Sequence, residues 1–155
     1  GKATTPADVL PRHIGHEQRS VKLLLKLCER WRVPVECKEL AEVVAREHGN
    51  IHQSQSFGAE ALLRLLVRCD ALRRPERFLL ALQACECDAR GRLGKEDASY
   101  TQGAQLALLL KAAQSVDSAA ISAQAMHEGL KGPAVGKRID MAREAAIAAA
   151  LALEG

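Results

Sequence analysis

Four of the five histidines fall in two short patches, His13-Ile14-Gly15-His16-Glu17 and Glu47-His48-Gly49-Asn50-Ile51-His52. The first pair is spaced i, i+3 and the second i, i+4, so on a helix each pair shares one face. Each patch also carries a carboxylate, Glu17 or Glu47. Imidazoles beside carboxylates suit a divalent metal engaged in hydrolysis, because such a metal makes water nucleophilic at neutral pH. Surface histidines near helix ends are the plainer alternative. The spacing alone leaves both open.

Positioning these side chains is a task for helices. Hydrophobic residues make up 48% of the 155-residue chain but aromatics only 3%. Leu, Ala and Val must then form the core, which favours packed helices over sheets. The length fits one domain with a full core. A net charge of +3 is compatible with nucleic acid without arguing for it. The five cysteines contain no Cys-x-x-Cys and lie mostly in apolar helical stretches, which reads as reduced, buried thiols. No secretory signal and no uncharged run of membrane-spanning length is visible, so a soluble, cytoplasmic protein is expected.

Thr4, Thr5, Pro6, Pro11 and Gly15 make residues 1–15 an irregular lead-in. A helix over about 16–32 follows, with Val21, Leu24, Leu25 and Cys28 as its apolar stripe and Trp31 packed at its end. The next helix runs over about 36–48, stopped by Gly49 and Asn50, which leaves His48 at a helix end. Ser56 is the expected N-cap of a helix over 59–72. Asp70 near its end is read either as a partner of Arg73 or Arg74 or as a metal carboxylate. Pro75 starts a helix ending near Gly91. Beyond it, Arg90 and Arg92 are candidate phosphate contacts. After a loop over 93–103, helices are expected over 104–115, from Asp117 or Ser118 towards Gly129, and over 133–153. His127 stands alone and reads as structural or solvent-facing. The sum is an all-α domain of six or seven helices.

Several blocks resemble the C-terminal HD domain of bacterial multifunctional CCA proteins: Lys2-x-Thr4-Thr5-Pro6-Ala7-Asp8-x-Leu10-Pro11, His13-Ile14-Gly15-His16-Glu17, Arg46-Glu47-His48-Gly49-Asn50-Ile51-His52 and Cys85-Glu86-Cys87-Asp88-Ala89-Arg90-Gly91-Arg92. Gly129-Leu130-Lys131-Gly132-Pro133-Ala134-Val135-Gly136 resembles the C-terminal segment of tRNA nucleotidyltransferases. The resemblance implies an HD-type helical domain, with residues 1–92 the remainder of the phosphohydrolase region and 93–155 a C-terminal helical segment. It implies two activities for the parent. A nucleotidyltransferase head adds CCA to tRNA from CTP and ATP. The HD part hydrolyses 2′,3′-cyclic phosphates, 2′-nucleotides and phosphomonoesters with Ni2+ or Mg2+, Mn2+ being a further candidate.

Carried onto this chain, the resemblance makes His16, His48 and Asp70 metal ligands, with Asp88 the rival carboxylate. Lys2 closes the His-Asp-x-Gly-Lys signature and neutralises phosphate, and Lys2 and His48 are the candidate catalytic residues. His13, Glu47, His52 and Asp88 would support the site. Arg90, Arg92, Lys131, Lys137 and Arg138 are candidate tRNA contacts. Partners would be tRNA and the 2′-phosphate substrates, with no membrane; a homodimer is compatible with the resemblance. The chain opens at the Gly-Lys of the signature, so the reading expects an N-terminally truncated domain. The His-Asp pair and the head are missing, and the chain is expected to be inactive or nearly so. The competing reading is a non-catalytic helical module that binds tRNA or dimerises. A third reading is a helical core with no site at all, which expects scattered histidines, whereas a metal site requires His16, His48 and Asp70 to converge in one cleft.

Overall fold

A computed structural model describes residues 1–154, with only the backbone of Glu154. Among them are seven α-helices: α1 (His16–Trp31), α2 (Val35–His52), α3 (Ala59–Arg68), α4 (Pro75–Arg90), α5 (Gln102–Gln114), α6 (Ser118–His127) and α7 (Pro133–Glu154). Short 3-10 turns cover Lys2–Thr4, Ala7–Val9 and Ser54–Ser56, and no strand occurs among the described residues. The chain is all-α, as its composition requires.

The core follows the amphipathic spacing. Leu62, Leu63, Leu65 and Leu66 of α3 are buried against Phe78, Ala81, Leu82 and Cys85 of α4 and Leu106, Leu109 and Leu110 of α5. Val43 and Ile51 join from α2 and Ile147 from α7. Each large apolar side chain so buried contributes roughly 1.5–3 kcal/mol. Helix α1 packs on α2, α2 on α4, and α7 spans α3, α5 and α6. The two cysteines buried deepest in this core, Cys69 and Cys85, have their thiols pushed up to about 12, chiefly by burial. Cys28 is also buried, whereas Cys37 and Cys87 are exposed.

Several local expectations are corrected. Helix α2 does not stop at Gly49 and Asn50 but continues to His52. Asn50 donates its side-chain amide to Glu47 Oε2 at 2.8 Å, and Ile51 is fully buried, so packing overrides the glycine signal. Ser56 does not cap α3. It closes the preceding 3-10 turn, its hydroxyl donating to Gln53 O, and Gly58 occupies the N-cap. Helix α3 ends at Arg68, short of the expected 72, because Asp70 turns the chain with φ 53°. Trp31 is not packed; it stands 65% exposed at the end of α1. Leu25, placed in the stripe of α1, is exposed with Leu23 and Leu27, and Cys28 is the only fully buried residue of that helix. Asp117 does cap α6, accepting from Ala120 N at 2.9 Å.

Candidate functional site

The longer α2 puts His48 and His52 one turn apart on a continuous helix, and α1 brings His16 to the same place. Gly15, at φ 74°, takes the left-handed conformation that glycine tolerates and starts α1 at His16. His13 lies before the helix, so the i, i+3 pair does not share a helical face. Its carbonyl instead faces His16 Nδ1 at 3.2 Å. The lead-in is braced by Arg19, which donates to the Ile14 carbonyl at 2.9 Å and to the Thr5 hydroxyl at 2.9 Å, and Thr5 Oγ1 lies 2.8 Å from His13 Nδ1.

His16 Nε2 and His48 Nε2 face each other at 3.3 Å. The other nitrogen of each ring is committed: His16 Nδ1 to the His13 carbonyl and Glu17 Oε1, at 3.2 and 3.3 Å, and His48 Nδ1 to the Val44 carbonyl at 3.1 Å. A carbonyl only accepts, so each Nδ1 donates its proton and the two Nε2 atoms are turned towards each other. Two opposed ring nitrogens are satisfied by a proton shared between them or by a cation. A backbone carbonyl behind a histidine whose free nitrogen points inward is also how proteins orient metal ligands.

A second chain continues from His48. His52 lies with its ring centroid 6.0 Å from that of His48, and its Nε2 is 3.1 Å from Asp88 Oδ2 on α4. Its Nδ1 is 3.0 Å from the Tyr100 hydroxyl. Burial disfavours the Asp88 charge, but bonds from His52 and Arg92 outweigh it and hold the carboxyl below its usual range. Burial pushes the Tyr100 hydroxyl up, reinforced by the nearby Cys85, Glu86 and Asp88, so it stays protonated. Asp88 then accepts from His52 Nε2–H, and the Tyr100 hydroxyl meets Nδ1, so His52 is held on both sides.

Asp70 does not join the histidines. Its carboxylate lies 3.3 Å from Arg73, 3.7 Å from Arg74 and 3.5 Å from Arg77. Arg74 and Arg77 also bind Glu39, which precedes His48 by nine residues on α2, about 13 Å along the axis. The expected convergence of His16, His48 and Asp70 is therefore corrected: the structure brings the first two together, and it is Asp88, through His52, that lies on their side. Glu47 turns the other way. It is buried and bound by Arg68 at 3.0 and 3.1 Å and by Asn50.

The imidazole pair fits two ligand positions of a divalent metal. No group of three His, Cys, Asp or Glu among the described residues completes such a site. Lys2 is exposed with no ion partner, and Gly1 beside it is pressed onto α1, where a Cβ would come within 2.2 Å of the His16 carbonyl. Arg90 and Arg92 are exposed and paired with Glu86 at 3.0 Å and Asp88 at 3.2 Å. Arg138 binds Glu128, Lys137 lines a groove between α3 and α7, and Lys131 lies exposed in the turn before α7. His127 is solvent-facing. Sequence reasoning missed Thr5 and Arg19 as braces and Tyr100 as a partner of His52. That Tyr100 is the chain's single tyrosine, in a sequence poor in aromatics, was the available signal.

No family model matches the chain, and no solved structure matches it. Curated proteins do. The multifunctional CCA protein of Paracidovorax citrulli is 64% identical over 147 residues, 95% of this chain and 35% of that protein. The proteins of the same name from Acidovorax sp. and Cupriavidus metallidurans are 62% and 58% identical over 96% and 99% of this chain. The chain spans about a third of the length of the curated relatives it matches. No helix among the described residues is long and apolar enough to cross a membrane. At about 60% identity over nearly its whole length, the chain belongs with the multifunctional CCA proteins, of which it corresponds to one segment.

Proposed function

We propose that this chain is the HD-type, metal-dependent phosphohydrolase region of a CCA-adding tRNA nucleotidyltransferase. It would act as a 2′,3′-cyclic phosphodiesterase, 2′-nucleotidase and phosphatase in an enzyme of tRNA 3′-end maturation and repair. The observation that carries the reading is the His16–His48 pair, with both Nδ1 atoms committed to backbone carbonyls and both Nε2 atoms 3.3 Å apart.

His16 and His48 would hold a divalent cation such as Ni2+, Mg2+ or Mn2+ through Nε2. When bound, it supplies positive charge that polarises a phosphate and acidifies water. Asp88 replaces Asp70 as the carboxylate of this side, held in place by His52 and Arg92. Lys2, tied to α1 through Gly1, offsets charge on the non-bridging phosphate oxygens. A His-Asp pair of the signature would add further ligands to the two imidazoles and tighten the hold on the cation. CTP, ATP and the CCA-adding chemistry belong to the head of the longer protein.

A second reading, a non-catalytic helical tRNA-binding module, is favoured by the exposure of Arg90 and Arg92 and predicts salt-dependent tRNA affinity that survives chelation. The deciding experiment follows hydrolysis of 2′,3′-cyclic AMP with added Ni2+ by this chain and by the chain extended upstream through the His-Asp pair. Turnover only in the extended protein, abolished by His48→Ala, is expected. Activity in neither overturns the hydrolase reading.

A further inference from the structure

Helix α1 carries more apolar surface than the fold covers. It packs chiefly against α2 and the Lys2–Thr4 turn, and Cys28 is its only fully buried residue. At 100° per residue, Val21, Leu24 and Cys28 fall together on the side turned to α2. Leu23, Leu27 and Trp31 recur at every fourth position beside them and make a second stripe. They are 45%, 41% and 65% exposed. The stripe runs about 12 Å along the helix. Single exposed leucines are ordinary. Three successive turns of apolar side chains, with the chain's one tryptophan among them, form a patch that marks an interaction surface.

The open border of the stripe narrows what covers it. Lys26 and Arg30 lie along that border, on the side away from α2, exposed and one turn apart. Neither has an ion partner among the described residues, and like charges at this spacing repel each other. The surface therefore fits an amphipathic helix that lays its apolar face on Leu23, Leu27 and Trp31 and sets Asp or Glu against Lys26 and Arg30. A second copy of this chain does not meet that requirement. Paired antiparallel about a two-fold axis, α1 and its copy would bring the same border together, cation against cation. The CCA proteins themselves offer another source. The matched region is 35% of the Paracidovorax citrulli protein, so most of that protein's length lies outside it and is available as a cover.

We propose that the Leu23–Leu27–Trp31 stripe of α1 is a docking surface for an amphipathic helix with an acidic edge, supplied by the part of the CCA protein outside this segment. The proposal rests on membership of that family and not on the hydrolase reading. A failure of catalysis therefore leaves it standing.

The test is hydroxyl-radical footprinting, read residue by residue in a mass spectrometer. It compares this chain with a chimera in which the chain replaces its counterpart in the Paracidovorax citrulli protein. Oxidation of Trp31 should fall several-fold in the chimera, with Met126 of α6, 60% exposed, as the internal reference. Leu27→Glu and Lys26→Glu should each lower the melting temperature of the chimera by a few degrees and leave that of the chain alone within about a degree. Unchanged Trp31 oxidation in the chimera overturns the proposal. So does protection of Trp31 that appears in the chain alone as its concentration rises, which would assign the stripe to a second copy. Equal melting losses in both proteins overturn it as well, because the stripe would then serve the chain's own fold. Should the chimera not fold, the unaltered Paracidovorax citrulli protein, footprinted over the helix aligned with α1, reads the same surface.

Discussion

Glu47 and His48 are neighbours on α2 and face opposite fates. Glu47 turns into the protein, where two nitrogens of Arg68 and the amide of Asn50 satisfy it completely. His48 turns towards α1, where one ring nitrogen is satisfied by Val44 and the other confronts an identical group on His16. The difference separates a polar group that maintains a fold from one kept available for chemistry. Full compensation marks the first. The second keeps an inward ring nitrogen that meets only its counterpart on His16.

Removing a partner on the structural side should have the largest effect. Arg68→Ala leaves a buried carboxylate unpaired, and urea unfolding should show a loss of about 3 kcal/mol. Glu47→Gln, which keeps a hydrogen-bonding side chain, should cost clearly less. On the other side the order inverts. His48→Ala should change stability by less than about 1 kcal/mol yet weaken Ni2+ binding at least about tenfold in a calorimetric titration. If the two variants lose stability equally, the distinction between the faces of α2 fails.

How much of this contrast could be read before folding differs by element. Pro75 and Pro133 set helix starts correctly because a proline's missing amide is harmless there. The Asp117 cap was equally legible, being a contact within three residues. The two histidine patches were visible as a pair, but their meeting across α1 and α2 was not fixed by any local spacing. The error over Asp70 has the same origin. Nothing local distinguishes a carboxylate that Arg73, Arg74 and Arg77 surround from one presented to a cleft. Asp88 became the better candidate only when packing of α2 on α4 set it beside His52. The stop at Gly49 failed because Ile51 gains more from burial than Gly49 loses by staying helical.

Smaller effects sharpen the comparison along the His52 chain. Tyr100→Phe removes one hydrogen-bond partner of His52 and should cost about 1 kcal/mol in thermal or urea unfolding. Asp88 offers the mildest test. Its folded pKa is lowered, so its contribution is fully present above the unfolded value of about 3.9 and fades as pH falls through the lowered folded value. An acid titration of stability should therefore show a small extra loss below about pH 4 that Asp88→Asn lacks. The group is half exposed, so solvent screening keeps the loss slight.

The arginine cluster that claims Asp70 is of use beyond excluding it from the site. Asp70 and Glu39 are shared among Arg73, Arg74 and Arg77, which ties α2 to the α3–α4 turn and to α4 itself. Stripping water from charges becomes less costly on heating, while the apolar contribution per unit area levels off. The relative weight of this network therefore grows as the protein warms. A variant such as Asp70→Asn would resemble the parent protein at room temperature and part from it near the melting point.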